Sequence, residues 1–341
     1  MKSPIENIID VTPLSDEAPN LFTNSCPLWS PAGARGVYGG AFIAHSLAAS
    51  QRMISTDFVA HSMHSLFIFA GAGGIPVTYD VEILNEASDR ITHVVHAKQE
   101  TRIIFIATIS FMRSSQANNM RHITHYIPKP DAILPTGQYD NDKLWDADRP
   151  FETIRIPLSF DSSCRTEDRR YRQWMRARGK ISTPENHSIH SCALAYMSDS
   201  LFIGTVARAH QAPRHSSASS FEKIQDLEDG VDEESKEAAK FLRRLAELEL
   251  IDFQSLTPSN EQMGMMVSLS HSIYFHHQES FRADEWMLSE MSSPWSGEGR
   301  GLVYQSCWSQ SGLLIATCVQ EGVVRLIQDS KPANKPNEPK L

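Results

Sequence analysis

The sequence predicts an α+β protein made of two tandem copies of one unit, each a helix wrapped by an antiparallel sheet. Three observations predict it: repeated markers at matched spacing, a small-residue-rich helix ahead of each set of strands, and alternating strand-like segments between the markers. Ile106-Ala107-Thr108 and Ile315-Ala316-Thr317 both sit in apolar, β-branched runs of strand type, residues 103–113 and 313–325. His61-Ser62 lies 45 residues before the first triplet, and His271-Ser272 lies 44 before the second. Short matches arise by chance; their common spacing makes a duplicated unit the better explanation.

The elements follow in order. Gly39-Gly40 leads into a helix over residues 41–55, where Phe42, Ile43, Ser46, Leu47 and Met53 form a buried stripe. Strands follow over 76–84 and 92–99, closing with 103–113. In the second copy a helix over 190–207 presents Ala193, Leu194, Met197, Leu201 and Val206, and strands follow over 285–291 and 301–308. One helix wrapped by an antiparallel sheet, twice over, is a double hot-dog. The expected organisation is an N-terminal segment (1–27), an N-terminal hot-dog (28–113), a connecting segment (114–185), a C-terminal hot-dog (186–328) and a flexible tail (329–341). The second copy carries an insertion over about 211–262, with a Ser-rich stretch, an acidic run and a helix over 233–250. It reads as a solvated surface excursion.

Composition narrows the function. The chain has 341 residues, 41% hydrophobic and 21% charged, enough to bury a core. A net charge of −9 argues against nucleic acid or an anionic membrane as a partner, since an acidic body meets no attractive field there. Five scattered cysteines without a CxxC pair read as reduced thiols in an intracellular compartment. Residues 1–16 show no secretory signal, and no run reaches the ~20 apolar residues of a membrane span. Pro339-Lys340-Leu341 differs from the peroxisomal Ser-Lys-Leu address only at its first position. The expected location is therefore peroxisomal, with an import receptor as partner, and otherwise cytoplasmic. A homo-oligomer is the remaining partner expectation.

Particular blocks resemble the acyl-CoA thioesterase II family. In the first half they are Arg35-Gly36-Val37-Tyr38-Gly39-Gly40, His61-Ser62-Met63-His64-Ser65-Leu66-Phe67 and Pro76-Val77-Thr78-Tyr79-Asp80-Val81-Glu82. In the second they are Leu194-Ala195-Tyr196-Met197-Ser198-Asp199, Ser268-Leu269-Ser270-His271-Ser272-Ile273-Tyr274-Phe275-His276, Arg300-Gly301-Leu302-Val303 and Val319-Gln320-Glu321-Gly322-Val323-Val324-Arg325. The resemblance implies hydrolysis of an acyl-CoA to a carboxylic acid and coenzyme A, within lipid metabolism. It also implies that Asp199, Ser268 and Gln320 hold the hydrolytic water, with no metal or other cofactor. The chain departs from the family at Phe69-Ala70-Gly71-Ala72, where members carry an Arg-Pro-Gly-Asp-like turn. It departs again at Ala87-Ser88-Asp89-Arg90-Ile91, where they carry a Gly-Arg-Ser-Phe-like turn.

The residue chemistry agrees. Thioester hydrolysis needs a base, an oriented water and donors for the developing oxyanion. Asp199 can be the base, and Ser268 and Gln320 can each fix the water by hydrogen bonds. Gly39 and Gly40 are candidate substrate-binding residues, because they let backbone N–H groups at a helix start approach a carbonyl oxygen. His64 is a further candidate for the pocket wall, against the plainer reading of a structural histidine. Aligning the Ile-Ala-Thr triplets places Phe111 opposite Gln320; aligning the helices on Ala44 and Ala195 places Ala48 opposite Asp199. Polar groups then occupy only one copy of the site.

Other chemistries find less support. The pairs His61/His64, His122/His125 and His187/His190 lack the third ligand of a zinc hydrolase. No Gly-x-Ser-x-Gly elbow occurs, and Gly71-Ala72-Gly73-Gly74 completes no phosphate-binding fingerprint. An enoyl thioester hydratase or dehydratase would need an Asp/His pair at the site. A non-catalytic acyl-CoA binding protein would need only the pocket.

Overall fold

The computed structural model describes residues 2–31, 36–114, 123–134, 149–156, 163–253 and 261–327. The first unit runs α1 (Pro4–Ile8), β1 (Val11–Pro13), β2 (Leu21–Asn24), α2 (Gly39–Gln51), β3 (Phe58–Phe67), β4 (Thr78–Glu86), β5 (Arg90–Gln99) and β6 (Arg102–Arg113). The second runs β7 (Phe151–Arg155), β8 (Tyr171–Ala177), α3 (His187–Ser198), α4 (Gly204–Ala209), α5 (Ala218–Glu228), α6 (Glu233–Phe253), β9 (Met263–Phe275), β10 (Met287–Gly297), β11 (Arg300–Ser309) and β12 (Leu314–Leu326). The strands form one 12-stranded sheet in the order β1-β2-β4-β5-β6-β3-β9-β12-β11-β10-β8-β7.

That order reads the same from either end once the two units are exchanged. The units meet where β3 pairs antiparallel with β9, and Met63 stands opposite Ile273. Ser62 faces Tyr274 and His64 faces Ser272 on either side of that pair. The residues opposite at the centre are the ones that the His-Ser markers make equivalent, so a pseudo-two-fold axis passes between Met63 and Ile273. Both are fully buried.

Both helices lie on the inner side of this sheet. In α2 nearly every residue from Gly40 to Ser50 is buried, as expected of a helix apolar around its whole circumference. Among its polar residues, His45 and Ser50 are hydrogen-bonded. The His45 ring bonds the Tyr79 hydroxyl at 2.8 Å and the Ile8 carbonyl at 2.6 Å, and burial pushes its pKa down to about 4. The strands alternate buried and half-exposed residues, the pattern of a sheet with one face on the core.

The structure differs from the sequence reading in three places. Residues 1–27, expected to precede the first unit, supply β1 and β2; residues 114–185, expected to be a connection, supply β7 and β8. These two hairpins occupy equivalent edges of the sheet. The helix expected over 190–207 stops at Ser198 and resumes as α4, because Leu201 takes a left-handed φ of 59°. The insertion forms two helices, α5 and α6, packed through Ile224, Ala239 and Ala246 and joined by an Arg243–Glu228 ion pair at 2.7 Å. The tail with Pro339-Lys340-Leu341, and His122, lie outside the described residues.

Truncating the seam should be costly. Ile273→Ala is expected to remove about 2–5 kcal/mol of unfolding free energy, measured in urea with an unchanged denaturant slope. A loss under about 1 kcal/mol would mean that β3 and β9 do not form the packed centre.

Candidate active site

Asp199 is the residue that ends α3, and its side chain crosses to the other unit. Gln320 Nε2 donates to Asp199 Oδ1 at 2.7 Å, joining β12 to the end of α3. The backbone N–H of Gly40 donates to the same carboxylate from the first turn of α2. A Cβ on Gly39 would lie 2.7 Å from Asp199 Oδ2 and 2.9 Å from the Phe67 ring; one on Gly40 would lie 2.2 Å from the Tyr196 carbonyl. Only glycine admits this approach. The site therefore lies on the junction of the units, not inside the second one as the sequence implied.

The local sequence explains why the carboxylate is drawn there. Tyr38, the residue before α2, offers no side-chain cap. The N–H groups of the first turn of a helix need acceptors, and its N-terminus carries partial positive charge. Asp199 supplies from another unit the acceptor that the chain before α2 lacks. Tyr38 donates instead to the Tyr196 carbonyl at 2.9 Å, and its ring packs against that of Tyr196 at a tilt of 55°, with centroids 5.0 Å apart. Buried Arg149 donates to Ser200 Oγ at 3.0 Å and lies 3.7 Å over the Phe151 ring.

Burial dominates the charge state of Asp199 and raises its pKa from 3.8 to about 6, against the lowering effect of Gln320 and of Gly40. Among the described residues, no cation is in the set of groups that shift it. The residue as a whole is half-buried. Near pH 7 most of the population is ionised, yet the group is far more basic than a surface aspartate.

Ser268 reaches the same face of the sheet by an irregularity. Gln320 stands opposite His271, Glu321 opposite Ser270, and then Gly322 opposite Ser268, so one residue of β9 is skipped. Without that bulge, strict alternation would turn Ser268 to the outer face. With it, Ser268 shares the inner face with Gln320, two residues further along the ladder. Its hydroxyl bonds no other described residue.

The remaining candidates separate. Gly39 and Gly40 touch the carboxylate directly. His64 does not join them: it is exposed on the outer face, with Nδ1 3.0 Å from Ser272 Oγ. His190 is buried and bonds the Pro184 carbonyl and the Ala283 N–H, a structural role. No cluster of metal-ligating side chains occurs among the described residues. Sequence reasoning missed Phe67, Tyr38 and Arg149. Of these, the uncapped helix start after Tyr38 was the one legible signal. The turn at Phe69–Ala72, where the sequence departs from the family, lies beside the start of α2, since Gly71 O accepts from Val37 N just ahead of that helix. Matching the first residues of α2 and α3 puts Gln51, not Ala48, at the place equivalent to Asp199.

The raised pKa has a consequence for stability. Below about pH 4 the carboxyl is neutral in both folded and unfolded chains; above about pH 6 only the folded chain carries the cost of its charge. Asp199→Asn should therefore be more stable than the native protein by about 1–3 kcal/mol at pH 7–8. The gap should close as pH falls through 6 towards 4. Thermal and denaturant unfolding across pH test this, and an Asn variant less stable at pH 8 would contradict it.

Comparison with known proteins gives a consistent picture. Residues 26–112 match the acyl-CoA thioesterase N-terminal domain, and residues 130–324 match the acyl-CoA thioesterase C-terminal domain. Human acyl-coenzyme A thioesterase 8 is 29% identical over 340 residues, covering 94% of this chain and 89% of the relative. Peroxisomal acyl-coenzyme A thioester hydrolase 1 of Saccharomyces cerevisiae is 22% identical, covering 94% of each. The solved structure of acyl-CoA thioesterase II TesB2 from Mycobacterium marinum superposes with a TM-score of 0.65 at 24% identity, over 96% of this chain and 99% of that one, and shares the fold. No helix is long and apolar enough to cross a membrane among the described residues. With both of its halves matched in order, the chain belongs to the acyl-CoA thioesterase II family.

Proposed function

We propose that the protein hydrolyses an acyl-CoA to the free acid and coenzyme A, with Asp199 as general base. The observation that carries this reading is the Asp199–Gln320 hydrogen bond at the first turn of α2. It joins a carboxylate of raised basicity, an amide that orients it, and the positive end of a helix. Asp199 takes a proton from water as the oxygen attacks the thioester carbon. The carbonyl π electrons move to oxygen, and the α2 N-terminus stabilises that charge. Collapse of the adduct breaks the C–S bond, and the proton on Asp199 passes to the departing thiolate. Ser268, on the same sheet face as Gln320, is the second group that holds the water.

The other readings gain no observation. Among the described residues, the groups that bond the Asp199 carboxylate are Gln320 and Gly40, and none is the histidine that the Asp/His pair of a hydratase would need. A pure binding protein would have no use for a carboxylate of raised basicity. The location we propose is peroxisomal, supported by the likeness to the yeast protein named as peroxisomal.

Asp199→Ala and Gln320→Ala should each lower kcat for thiol release at least about 100-fold while the protein stays folded. Near-native turnover in both would remove the mechanism. Gln320→Leu, which deletes a donor to the ionised form, should raise the carboxyl pKa further. The acid limb of its pH–rate profile should then move to higher pH, and an unmoved limb would mean that the Gln320 bond does not tune the base.

A further inference from the structure

Behind the Asp199–Gln320 pair lies a row of polar side chains that the reaction as written does not use. Ser65 on β3 stands opposite His271 on β9, and His271 stands opposite Gln320 on β12. Residues opposite one another in antiparallel strands point to the same face, with Cβ atoms about 4.5–5.5 Å apart. All three are buried: Ser65 is 3% exposed, His271 and Gln320 are 0% exposed. Each presents one buried polar atom without a hydrogen-bond partner among the described residues, namely Ser65 Oγ, His271 Nδ1 and Gln320 Oε1. Three such orphans on three neighbouring strands are not scattered defects. Buried polar atoms cost about 1–3 kcal/mol each when unpaired, and a set of two to four convergent ones is what holds an internal water.

The chemistry of each atom is fixed by its other contacts. The Ser198 hydroxyl donates to the Ala195 carbonyl at 2.8 Å, so towards His271 Nε2, 3.1 Å away, it can only accept. His271 Nε2 therefore carries the proton. Burial lowers the His271 pKa to about 3, so the ring is neutral. Nδ1 is then a bare acceptor. Gln320 Nε2 is spent on Asp199, which leaves Oε1 as the second acceptor. Ser65 Oγ can donate. One water satisfies all three, donating to His271 Nδ1 and Gln320 Oε1 and accepting from Ser65.

We infer that His271 is a positioning residue: through a buried water shared with Ser65, it holds the Gln320 amide with Nε2 towards Asp199. The inference rests on the reading of Asp199 as general base. The water keeps the amide from flipping, because a flip would set the NH₂ group against the water's protons and an oxygen against the carboxylate. Its lone pair meets Ser65, so the three side chains and the solvent molecule form a closed set. His271 touches neither substrate nor water nucleophile.

A pair of substitutions separates this role from a structural one. Asn places an amide oxygen near the position of Nδ1 but cannot reach Ser198; Gln places its terminal group near Nε2 but leaves the Nδ1 position empty. In thiol-release assays with a saturated acyl-CoA, His271→Asn should keep kcat within about threefold of native. His271→Gln should lower kcat about tenfold or more, leave KM within about threefold, and move the acid limb to higher pH as Gln320→Leu does. Any other pattern overturns the inference, including equal losses in both or loss in the Asn variant alone. Thermal unfolding establishes that each variant is folded. Should either not fold, Ser65→Ala replaces the pair: a drop in kcat with the same shift of the limb supports the water, and an unchanged profile overturns it. Activity retained in Asp199→Asn would instead defeat the underlying hydrolytic reading, whatever the His271 variants do.

Discussion

The structure around this site depends on one interaction, a carboxylate from the end of α3 held at the first turn of α2. Each part alone is unfavourable. A carboxylate just past a helix C-terminus meets the negative end of that helix, and α2 begins without a side-chain cap. Brought together, each supplies what the other lacks. The two helices belong to different units, so the contact can form only when both halves have folded against the shared sheet. Gly39 and Gly40 are the backbone requirement for that contact, since a side chain at either would collide with Asp199, Phe67 or Tyr196.

The duplicated fold offers two places for such an arrangement and uses them differently. The pseudo-two-fold that exchanges the units brings the N-terminus of α3 to the end of α2. There Gln51 stands where Asp199 stands in the other copy, and its Oε1 accepts from Cys192 Sγ at 3.0 Å. Phe111 stands where Gln320 does. Ser50 bonds His93 Nδ1 at 2.6 Å, in parallel with Ser198 and His271. In that copy a neutral amide stands in place of the carboxylate, and both Gln51 and Ser50 are hydrogen-bonded locally. The other keeps an ionisable group and a row of buried polar atoms that have no hydrogen-bond partner among the described residues. Unpaired polarity is the expected sign of a place where stability is given up for chemistry.

Much of this was legible in the residues. The helix-and-sheet repeat followed from apolar periodicity and marker spacing, because burial imposes a period near two on strands and near 3.6 on helices. Asp199 and Gln320 followed from the resemblance, and their pairing makes physical sense of it. What escaped was set by non-local geometry. The strands β1, β2 and β7 are short, so each carries too few residues for a clear pattern, and β8 is buried at most positions and does not alternate strictly. The end of α3 at Ser198 depends on a left-handed Leu201, which no residue preference announces. The inward turn of Ser268 depends on a skipped residue in β9, and alternation alone gives the opposite face. His64 had the right chemistry and the right strand, but register puts it on the outer surface.

The same register argument shows why a strand, not a loop, presents Gln320. An amide that must keep one of two nearly isosteric orientations gains little from a flexible backbone, since rotation about its last bond is soft. Placing it in the interior of β12, between β9 and β11, fixes its Cβ and leaves only that last torsion to be decided. The side facing Asp199 selects the NH₂ group, because the carboxylate accepts and cannot donate when ionised. The opposite side selects the oxygen only if something there donates. A water held by His271 and Ser65, one strand and two strands away, is the donor we infer there, and through it the identity of residue 271 would bear on the base although the two are not in contact.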